Sequence, residues 1–384
     1  MVQSRSPPLS PTTEVSCETR KKQKQEGEQE QEPLGSLPEG PLVEILSRVP
    51  YMSLCRFKCV SKPWLALCSD HQVRKRSPQT LSGFFHCGTN GVQFCNVSGR
   101  GPPMVDPYLP FLWKRYTIII TRHCCGGLVL CKCWKSCHSK NNEYNLVVCN
   151  PAIEKWIELP HCPIESSYLT KEYLGFDPAD PSRFVVYALH LREFTEVTIY
   201  SSDTGRWTTV QSGWVEGTSL VVGFECVFVN GTMHLMTKEP SVVTVDTEGN
   251  VWREIYMPEN MTGSCEDISI GQSQGCLYAW CIGNLNVCQL AVWALEDYAS
   301  ANWTLKHTVN ILELFGRHCR KKDEFYKMFA IHPDRNLIFL TDGKEKTISY
   351  DMDSREVHVI STSGEFRDAQ PYIPCFAELP SDGH

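Results

Sequence analysis

Apolar residues recur at two different spacings along this chain, and the change between them falls near residue 80. Between residues 37 and 76 they recur every three or four positions, as in Leu42, Ile45, Leu46 and Val49, which is the spacing of one helical face. After residue 80 they form short runs bounded by Gly, Asn, Asp or Pro, which is typical of strands and turns. The pattern therefore predicts a small helical block followed by a large β domain.

The helical block is predicted to contain three short helices. We predict that Ser53 caps the second helix and Ser61 the third, because a serine before an apolar run accepts a hydrogen bond from the first turn. Leu54, Val60 and Trp64 are the large apolar residues of these two helices. A block of about forty residues rarely holds its fold without a disulfide, a metal or a partner. We therefore expect part of its apolar surface to bind another protein.

A repeat organises the β region. Four tryptophans mark it, each after a β-branched run and a turn rich in Asn, Asp or Gly: Trp156, Trp207, Trp252 and Trp303, with separations of 51, 45 and 51 residues. A fifth copy, ISYDMDSREVHVI, has Val357 at that position. Because a hairpin precedes each copy, each unit of about 50 residues is predicted to contain four strands, the pattern of a kelch-type β-propeller blade.

Five such blades are predicted between about residues 117 and 362. The runs LSGFFHCG and GVQFCNV before them, and YIPCFAEL after them, are predicted to complete a sixth blade in which the C-terminal strand pairs beside the N-terminal ones. That closure leaves no long free sheet edge. We expect about six blades, with five or seven as the alternatives.

Composition fits a globular protein and narrows the classes of partner. Of the 384 residues, 42% are hydrophobic and 21% are charged, which suits one small and one large domain. The net charge of −7 gives no electrostatic reason to expect nucleic acid as a partner. No apolar run approaches the eighteen or so residues of a membrane span, so we expect no membrane partner. Residues 1–35 are rich in Pro, Ser, Glu, Gln and Lys, and we expect them to be disordered.

The 20 cysteines are expected to be reduced thiols, because the N-terminal segment has no apolar core of the kind that directs secretion. The predicted location is the cytoplasm and/or the nucleus. The stretch HCCGGLVLCKCWKSCH, His123 to His138, lacks the paired Cys-x2-Cys spacing of structural zinc sites, and a hairpin accounts for it. The sequence has no phosphate-binding Gly-Lys loop and no His-Glu-x-x-His pair. We therefore predict no metal, no cofactor and no catalytic residue.

The helical block closely resembles the F-box motif, starting at Leu37-Pro38-Glu39 and continuing through VEILSRVP and SLCRFKCVSKPW. The β region resembles the F-box-associated region of plant F-box proteins. CCGGLVLC is similar to the CNGLLLC of that family, and VVCNPAIEKWIELP to its NP-x-x-x-x-W-x-x-LP signature. The resemblance covers residues 37 to about 380. With it, the chain divides into a tail (1–35), an F-box (36–78) and an F-box-associated β-propeller-like domain (79–384).

What the resemblance implies is a non-catalytic substrate receptor of a Skp–cullin–F-box type ubiquitin ligase. The F-box would dock on a Skp-type adaptor, which connects to a cullin and a RING subunit, while the β domain binds the protein to be ubiquitinated. Carried over by motif position, the adaptor contacts are Leu37, Pro38, Leu42, Ile45, Leu46, Leu54, Val60 and Trp64. Gly40 and Pro41 stand where an acidic residue and Leu are more usual, so somewhat weaker docking is expected.

Two other functions stay open at this point. One is a ligand- or carbohydrate-binding propeller with no ligase role. It predicts a ring of aromatic residues on one face, for which the candidates are Trp113, Trp134, Trp214, Trp280 and Trp293. The other is a protein that binds the adaptor but never joins a cullin. The helical block favours the ligase receptor over a lectin, because a lectin has no use for an apolar module that cannot fold alone. Propeller architecture does not specify the substrate.

Overall fold

A computed structural model of the chain describes residues 38–49, 51–70, 73, 76, 79–88, 91–136, 144–164, 170–178, 180–190, 195–215, 218–221, 226–258, 261, 268–283, 288–317, 325–362 and 366–379. The tail predicted to be disordered, residues 1–35, lies outside the described residues, as does Leu37. Among the helices that are described, none has the length and apolar character needed to cross a bilayer.

Three short helices form the first part of the fold: α1 (Glu39–Leu46), α2 (Tyr51–Phe57) and α3 (Lys62–Ser69). Ser61 caps α3 as predicted, since its Oγ accepts a hydrogen bond from the backbone N–H of Trp64 at 3.4 Å. The cap predicted at Ser53 is wrong, because α2 already begins at Tyr51 and Ser53 lies inside the helix. The earlier start gives this seven-residue helix more backbone hydrogen bonds. Val60 lies beyond the end of α2, in the turn before α3.

The β region is a six-bladed β-propeller, in which each blade is one antiparallel sheet. Blade 1 has three strands, which are β1 (Gly83–Gly88), β2 (Gly91–Asn96) and β23 (Arg367–Tyr372). Blade 2 comprises β3 (Ile118–Cys125), β4 (Leu128–Trp134), β5 (Asn145–Asn150) and β6 (Lys155–Glu158). Blade 3 comprises β7 (Thr170–Phe176), β8 (Phe184–His190), β9 (Glu196–Ser201) and β10 (Arg206–Gln211).

The remaining three blades repeat the four-stranded order. Blade 4 comprises β11 (Cys226–Val229), β12 (Thr232–Met236), β13 (Ser241–Asp246) and β14 (Trp252–Tyr256). Blade 5 comprises β15 (Ile268–Ser273), β16 (Cys276–Ile282), β17 (Gln289–Asp297) and β18 (Asn302–Asn310), and the short helix α4 (Ile311–Leu314) follows it. Blade 6 comprises β19 (Lys327–Ile331), β20 (Leu337–Thr341), β21 (Thr347–Asp351) and β22 (Val357–Ser361). The kelch type stays a prediction, because other repeat types share this blade architecture.

The blades close into a ring through their innermost strands. The first strand of each of blades 2 to 6 contacts the first strand of the next, and β23 contacts both β19 and β3. β23 pairs antiparallel with β1, with Tyr372 opposite Gly83, so the C-terminal strand completes the N-terminal blade. The segment predicted for this strand, YIPCFAEL, begins where the strand ends. An innermost strand tolerates polar side chains toward the central axis, so the polar run RDAQ takes that place.

The apolar residues after β23 pack against blade 2 as a C-terminal tail, residues 373–379. The side-chain amide of the buried Asn150 donates to the carbonyl oxygens of Cys375 at 2.9 Å and Ala377 at 3.2 Å. Gly127 has φ +95°, and a Cβ there would overlap the carbonyl oxygen of Ile373. The tail therefore lies directly on the backbone of the β3–β4 turn.

Apolar side chains fill the seams between blades. Six clusters of buried residues are present in the described chain, and each lies between two neighbouring blades around the ring. Because side chains alternate along a strand, each blade gives one row to the seam before it and the other row to the seam after it. In blade 2, for example, Val129 packs toward blade 1 and Leu130 toward blade 3.

The four repeat-marking tryptophans occupy equivalent places. Each lies at or next to the start of the outermost strand, opposite a residue of the third strand, and the pairs are Trp156 with Cys149, Trp207 with Tyr200, Trp252 with Val245 and Trp303 with Leu295. Val357, opposite Tyr350, has this place in blade 6. The repeat in the sequence is therefore a repeat of the outermost strand.

Candidate functional site

The helical module is built around a small buried core. Leu46 on α1, Leu54 on α2 and Cys68 on α3 are at most 1% exposed, and so is Val73 just after α3. One core residue from each helix suits the i, i+3, i+4 spacing of the sequence, which gives each short helix one apolar face.

Three large apolar side chains of the same module lie on its surface. Ile45 on α1 is 50% exposed, Val60 before α3 is 62% exposed, and Leu65 on α3 is 48% exposed. Single exposed apolar residues are ordinary, but three within twenty-one residues of a small helical module are a concentration that marks interaction surfaces. We name Ile45, Val60 and Leu65 the apolar surface of the module.

The aromatic pair of the module is half-buried. The rings of Phe57 and Trp64 meet edge to face, with their centroids 5.6 Å apart. This contact joins the end of α2 to the first turn of α3, so Trp64 is held in place on one side while part of its ring stays accessible.

The eight residues predicted to contact an adaptor fall into different places. Ile45 and Val60 are exposed, Pro38 is exposed, and Leu42 and Trp64 are half-buried. Leu46 and Leu54 are buried, so their side chains support the module from inside instead of lining its surface. Leu37 lies outside the described residues. Leu65, which the sequence reading did not include, joins the exposed set; its position next to Trp64 at the start of α3 is the only signal for it.

A charged cluster lies beside this surface. Glu44 on α1 accepts hydrogen bonds from Arg48 at 2.8 Å and from Arg76 at 2.7 Å. These two arginines lower the pKa of the Glu44 carboxyl, Arg48 through the larger hydrogen-bond effect. All three side chains are exposed, so the ion pairs orient the arginines more than they stabilise the fold.

The tryptophans proposed as a carbohydrate-binding ring do not form one. Trp280 and Trp293 are 3% and 6% exposed and belong to the seams on either side of blade 5. The indole N–H of Trp214 donates to the carbonyl oxygen of Thr244 at 3.0 Å, and its ring packs on a third seam. Trp134 is half-buried and Trp113 is exposed. The indoles of this set that are buried serve packing, so they give no aromatic platform.

The cysteine-rich hairpin of blade 2 is core. Cys131 and Cys133 are both 0% exposed and lie in the seam between blades 1 and 2, next to Cys149. The hydrogen bond to Cys149 and burial raise the pKa of the Cys131 thiol, and burial raises that of Cys133. In the described part of the chain, no group of three or more His, Cys, Asp and Glu side chains is arranged to hold a metal ion; Cys137 and His138 of the candidate stretch lie outside it.

Comparison with known families gives two matches. The F-box domain matches residues 34–76, and the family described as "F-box protein At3g26010-like, beta-propeller" matches residues 104–378. The first match covers the helical module, and the second covers most of the propeller.

Curated relatives carry the same two parts in their names. The chain is 26% identical over 305 residues to F-box protein At5g07610 of Arabidopsis thaliana, which covers 70% of this chain and 69% of the relative. It is 22% identical over 367 residues to F-box protein At3g26010 of the same plant, covering 88% and 81%. It is 23% identical over 299 residues to F-box/kelch-repeat protein At3g23880, also from Arabidopsis thaliana, covering 70% and 78%. The six-bladed propeller, the helical module and the match over residues 104–378 together show that the chain belongs to the At3g26010-like family of F-box proteins.

Proposed function

We propose that this chain is the substrate-recognition subunit of a Skp–cullin–F-box type E3 ubiquitin ligase. The F-box binds a Skp-type adaptor, which links the chain to a cullin and a RING subunit. The propeller binds the protein to be ubiquitinated. Both parts lie in one chain, so the substrate is carried to the ligase by covalent connection.

The apolar surface of the helical module carries this proposal. A module with a small internal core and three large apolar side chains in water is suited to bury them against a partner. The F-box match over the same residues names the class of partner, a Skp-type adaptor. The proposed contacts are Leu37, Pro38, Leu42, Ile45, Val60, Leu65 and Trp64, with Leu46 and Leu54 fixing the helices beneath them.

The chain is proposed to act without chemistry of its own. Burial raises the pKa of the thiols of Cys124 and Cys125, so these cysteines stay protonated and are poor nucleophiles. Tethering instead raises the effective concentration of substrate lysines near the charged ubiquitin-conjugating enzyme. We propose the cytoplasm and/or the nucleus as the location, where unpaired thiols persist.

The test is co-expression with a plant Skp-type adaptor, followed by size-exclusion chromatography and titration. The wild-type chain should co-elute one-to-one with the adaptor. Ile45→Asp/Val60→Asp should weaken binding at least about 30-fold, because each buried apolar anchor of this kind contributes about 2 kcal/mol or more. Val215→Asp is the matched control, since Val215 is 70% exposed in the propeller and should leave binding unchanged. A folded, monodisperse wild-type chain that does not bind the adaptor would refute the proposal.

A second measurement separates a ligase subunit from a protein that binds the adaptor alone. The purified pair is mixed with cullin, RING subunit, ubiquitin, and the activating and conjugating enzymes. A ligase subunit should form a four-protein complex and become ubiquitinated itself, as receptors do when no substrate is present. Failure of the intact pair to join the cullin would leave adaptor binding standing and contradict the ligase role.

A further inference from the structure

A row of polar side chains interrupts the apolar seam between blades 4 and 5. His234 on β12 lies opposite Thr244 on β13, and Thr244 lies opposite Arg253 on β14. The row faces blade 5, whose Tyr298 approaches His234 with ring centroids 5.7 Å apart. These four residues line a cavity of about 240 Å³, together with Asn230 and Val251.

The other four-stranded blades have a buried packing residue where blade 4 has His234. Counting from the residue opposite each repeat-marking position, the equivalents of His234 are Leu130, Tyr187, Tyr278 and Phe339. All of them are buried within the apolar clusters of their seams. The fold therefore has no general need for a histidine at this place, and its presence requires a local reason.

Two buried polar atoms have no partner at this cavity. His234 is 1% exposed, and its Nδ1–H donates to the carbonyl oxygens of Thr232 at 3.1 Å and Val227 at 3.3 Å. With the proton on Nδ1, Nε2 holds a free lone pair, and Nε2 has no hydrogen-bond partner. The hydroxyl of Tyr298 is also buried without a partner. Each such atom costs about 1–3 kcal/mol while it stays unpaired.

The protonation states of the two rings are complementary. Burial lowers the pKa of His234 to about 4, so the ring is neutral near pH 7 and Nε2 accepts a hydrogen bond. Burial raises the pKa of Tyr298 to about 12, so the phenol keeps its proton and donates. Arg253 is exposed at the mouth of the cavity and has no carboxylate within ion-pair distance in the described chain. The cavity thus offers one buried acceptor, one buried donor and one cation.

We propose that this cavity binds a small hydroxylated carboxylic acid. The carboxylate lies at Arg253 and accepts a hydrogen bond from the Tyr298 hydroxyl, while the hydroxyl of the acid donates to Nε2 of His234. The volume restricts the ligand to a small acid, because sites for drug-sized molecules span about 300–1,000 Å³. The site is separate from the helical module, so this inference does not depend on adaptor binding.

The test uses nitrogen-15 histidine labelling and NMR titration with defined acids. L-malate and 4-hydroxybenzoate are the probes, and succinate and benzoate are the same acids without the hydroxyl. The hydroxylated acids should shift the Nε2 resonance of His234 and bind about tenfold more tightly than their counterparts, as expected for one hydrogen bond to a buried acceptor. Absence of any shift at His234 with millimolar probe would overturn the proposal.

Variants decide which groups hold the ligand. Tyr298→Phe removes the hydroxyl but keeps the ring, and Arg253→Gln removes the charge at the mouth; each should weaken binding about tenfold. Arg206→Gln is the control, since Arg206 is an exposed arginine at the start of β10 in the neighbouring blade and should bind as wild type does. Unchanged thermal midpoints show that the variants fold. Equal affinity in all four proteins, or crystals soaked with probe that hold only ordered water in the cavity, would contradict the assignment.

Discussion

The indole N–H of Trp207 donates to the carbonyl oxygen of Pro160 at 2.9 Å and links the outermost strand of blade 3 to the chain leaving blade 2. The same link joins Trp303 to the carbonyl oxygen of Tyr256 at 3.0 Å, between blades 5 and 4. In both cases the acceptor is the fourth residue after the tryptophan of the preceding blade. The repeat thus encodes contacts between blades as well as strands within them.

Replacing Trp207 with Phe should lower the free energy of unfolding by about 1–2 kcal/mol, because it removes one hydrogen bond and part of the packing on the seam between blades 2 and 3. Trp113→Phe is the matched control. Its indole is 58% exposed, so the change should stay within about 0.5 kcal/mol. Denaturant unfolding followed by circular dichroism measures both. Equal losses in the two variants would contradict a role for the inter-blade link.

Removing the charge of Lys132 should destabilise the propeller by about 3 kcal/mol. Its ammonium lies 2.8 Å from the Glu172 carboxylate, and both residues are less than 9% exposed, so Lys132→Met leaves a buried carboxylate with only Arg122, at 3.7 Å, for compensation. Burial lowers the pKa of Lys132, and the attraction of Glu172 opposes that shift.

Two further variants check this interpretation of the Lys132 pair by denaturant unfolding. Lys306→Met breaks the exposed pair with Glu296 and should cost less than about 1 kcal/mol. Adding Glu172→Gln to Lys132→Met should recover part of the loss, since it removes the buried charge. A double variant as unstable as Lys132→Met would show that the loss comes from packing.

Gly127→Ala should cost about 3 kcal/mol or more. At φ +95° an L side chain is strained, and the added Cβ would meet the backbone of Ile373, which forces the C-terminal tail away from blade 2. Gly205→Ala separates strain from collision, because Gly205 has φ +64° with nothing near its Cβ and should cost only about 1 kcal/mol. Thermal unfolding compares the two, and similar midpoints would argue that the tail yields freely.

Acidification should destabilise the native chain between about pH 6.5 and pH 4. Burial lowers the pKa of both His123 and His234 to about 4 in the folded state, while an unfolded histidine titrates near 6.5. Above pH 6.5 both states are unprotonated and the full stability is present. Below it the unfolded chain binds protons that the folded chain refuses, so the free energy of unfolding falls by up to about 1.4 kcal/mol per pH unit for each histidine.

His234→Phe tests this pH dependence. The variant has one such group fewer, so its free energy of unfolding should fall less steeply with acidification, by up to about 1.4 kcal/mol per pH unit. Tyr187→Phe changes the equivalent position of blade 3 without removing a group that titrates in this range, and its slope should match wild type. Urea unfolding at several pH values gives the slopes; an unaltered slope in His234→Phe would contradict the buried neutral histidine.

The blade count was predictable because the signals are local. A hairpin, a turn and a tryptophan lie close together in each unit, and every blade satisfies most of its own hydrogen bonds. The closing strand was misplaced because it lies innermost: Asp368 and Gln370 face a region where polar side chains are tolerated, so the apolar run starting at Tyr372 gave the stronger strand signal. Only the three-dimensional ring shows that this run serves as the tail.

The candidate surfaces were harder to read from sequence. Ile45 and Leu46 are neighbours in one apolar stripe, yet one is half exposed and the other is core, and periodicity gives no means to tell them apart. His234 gave no signal at all, because a lone histidine in a strand is ordinary. Its significance depends on comparison with Leu130, Tyr187, Tyr278 and Phe339, which requires the register of the sheets.

The pairing of β1 with β23 also sets the order in which the protein can be completed during synthesis. The F-box and the first two strands leave the ribosome early, but blade 1 cannot form its full sheet until the residues up to Tyr372 have emerged. Until then an open arc of blades exposes seams that will later be buried, and long-range pairings of this kind form slowly. A chain truncated before β23 is thus left with an unfinished ring, although its helical module is already present in the sequence.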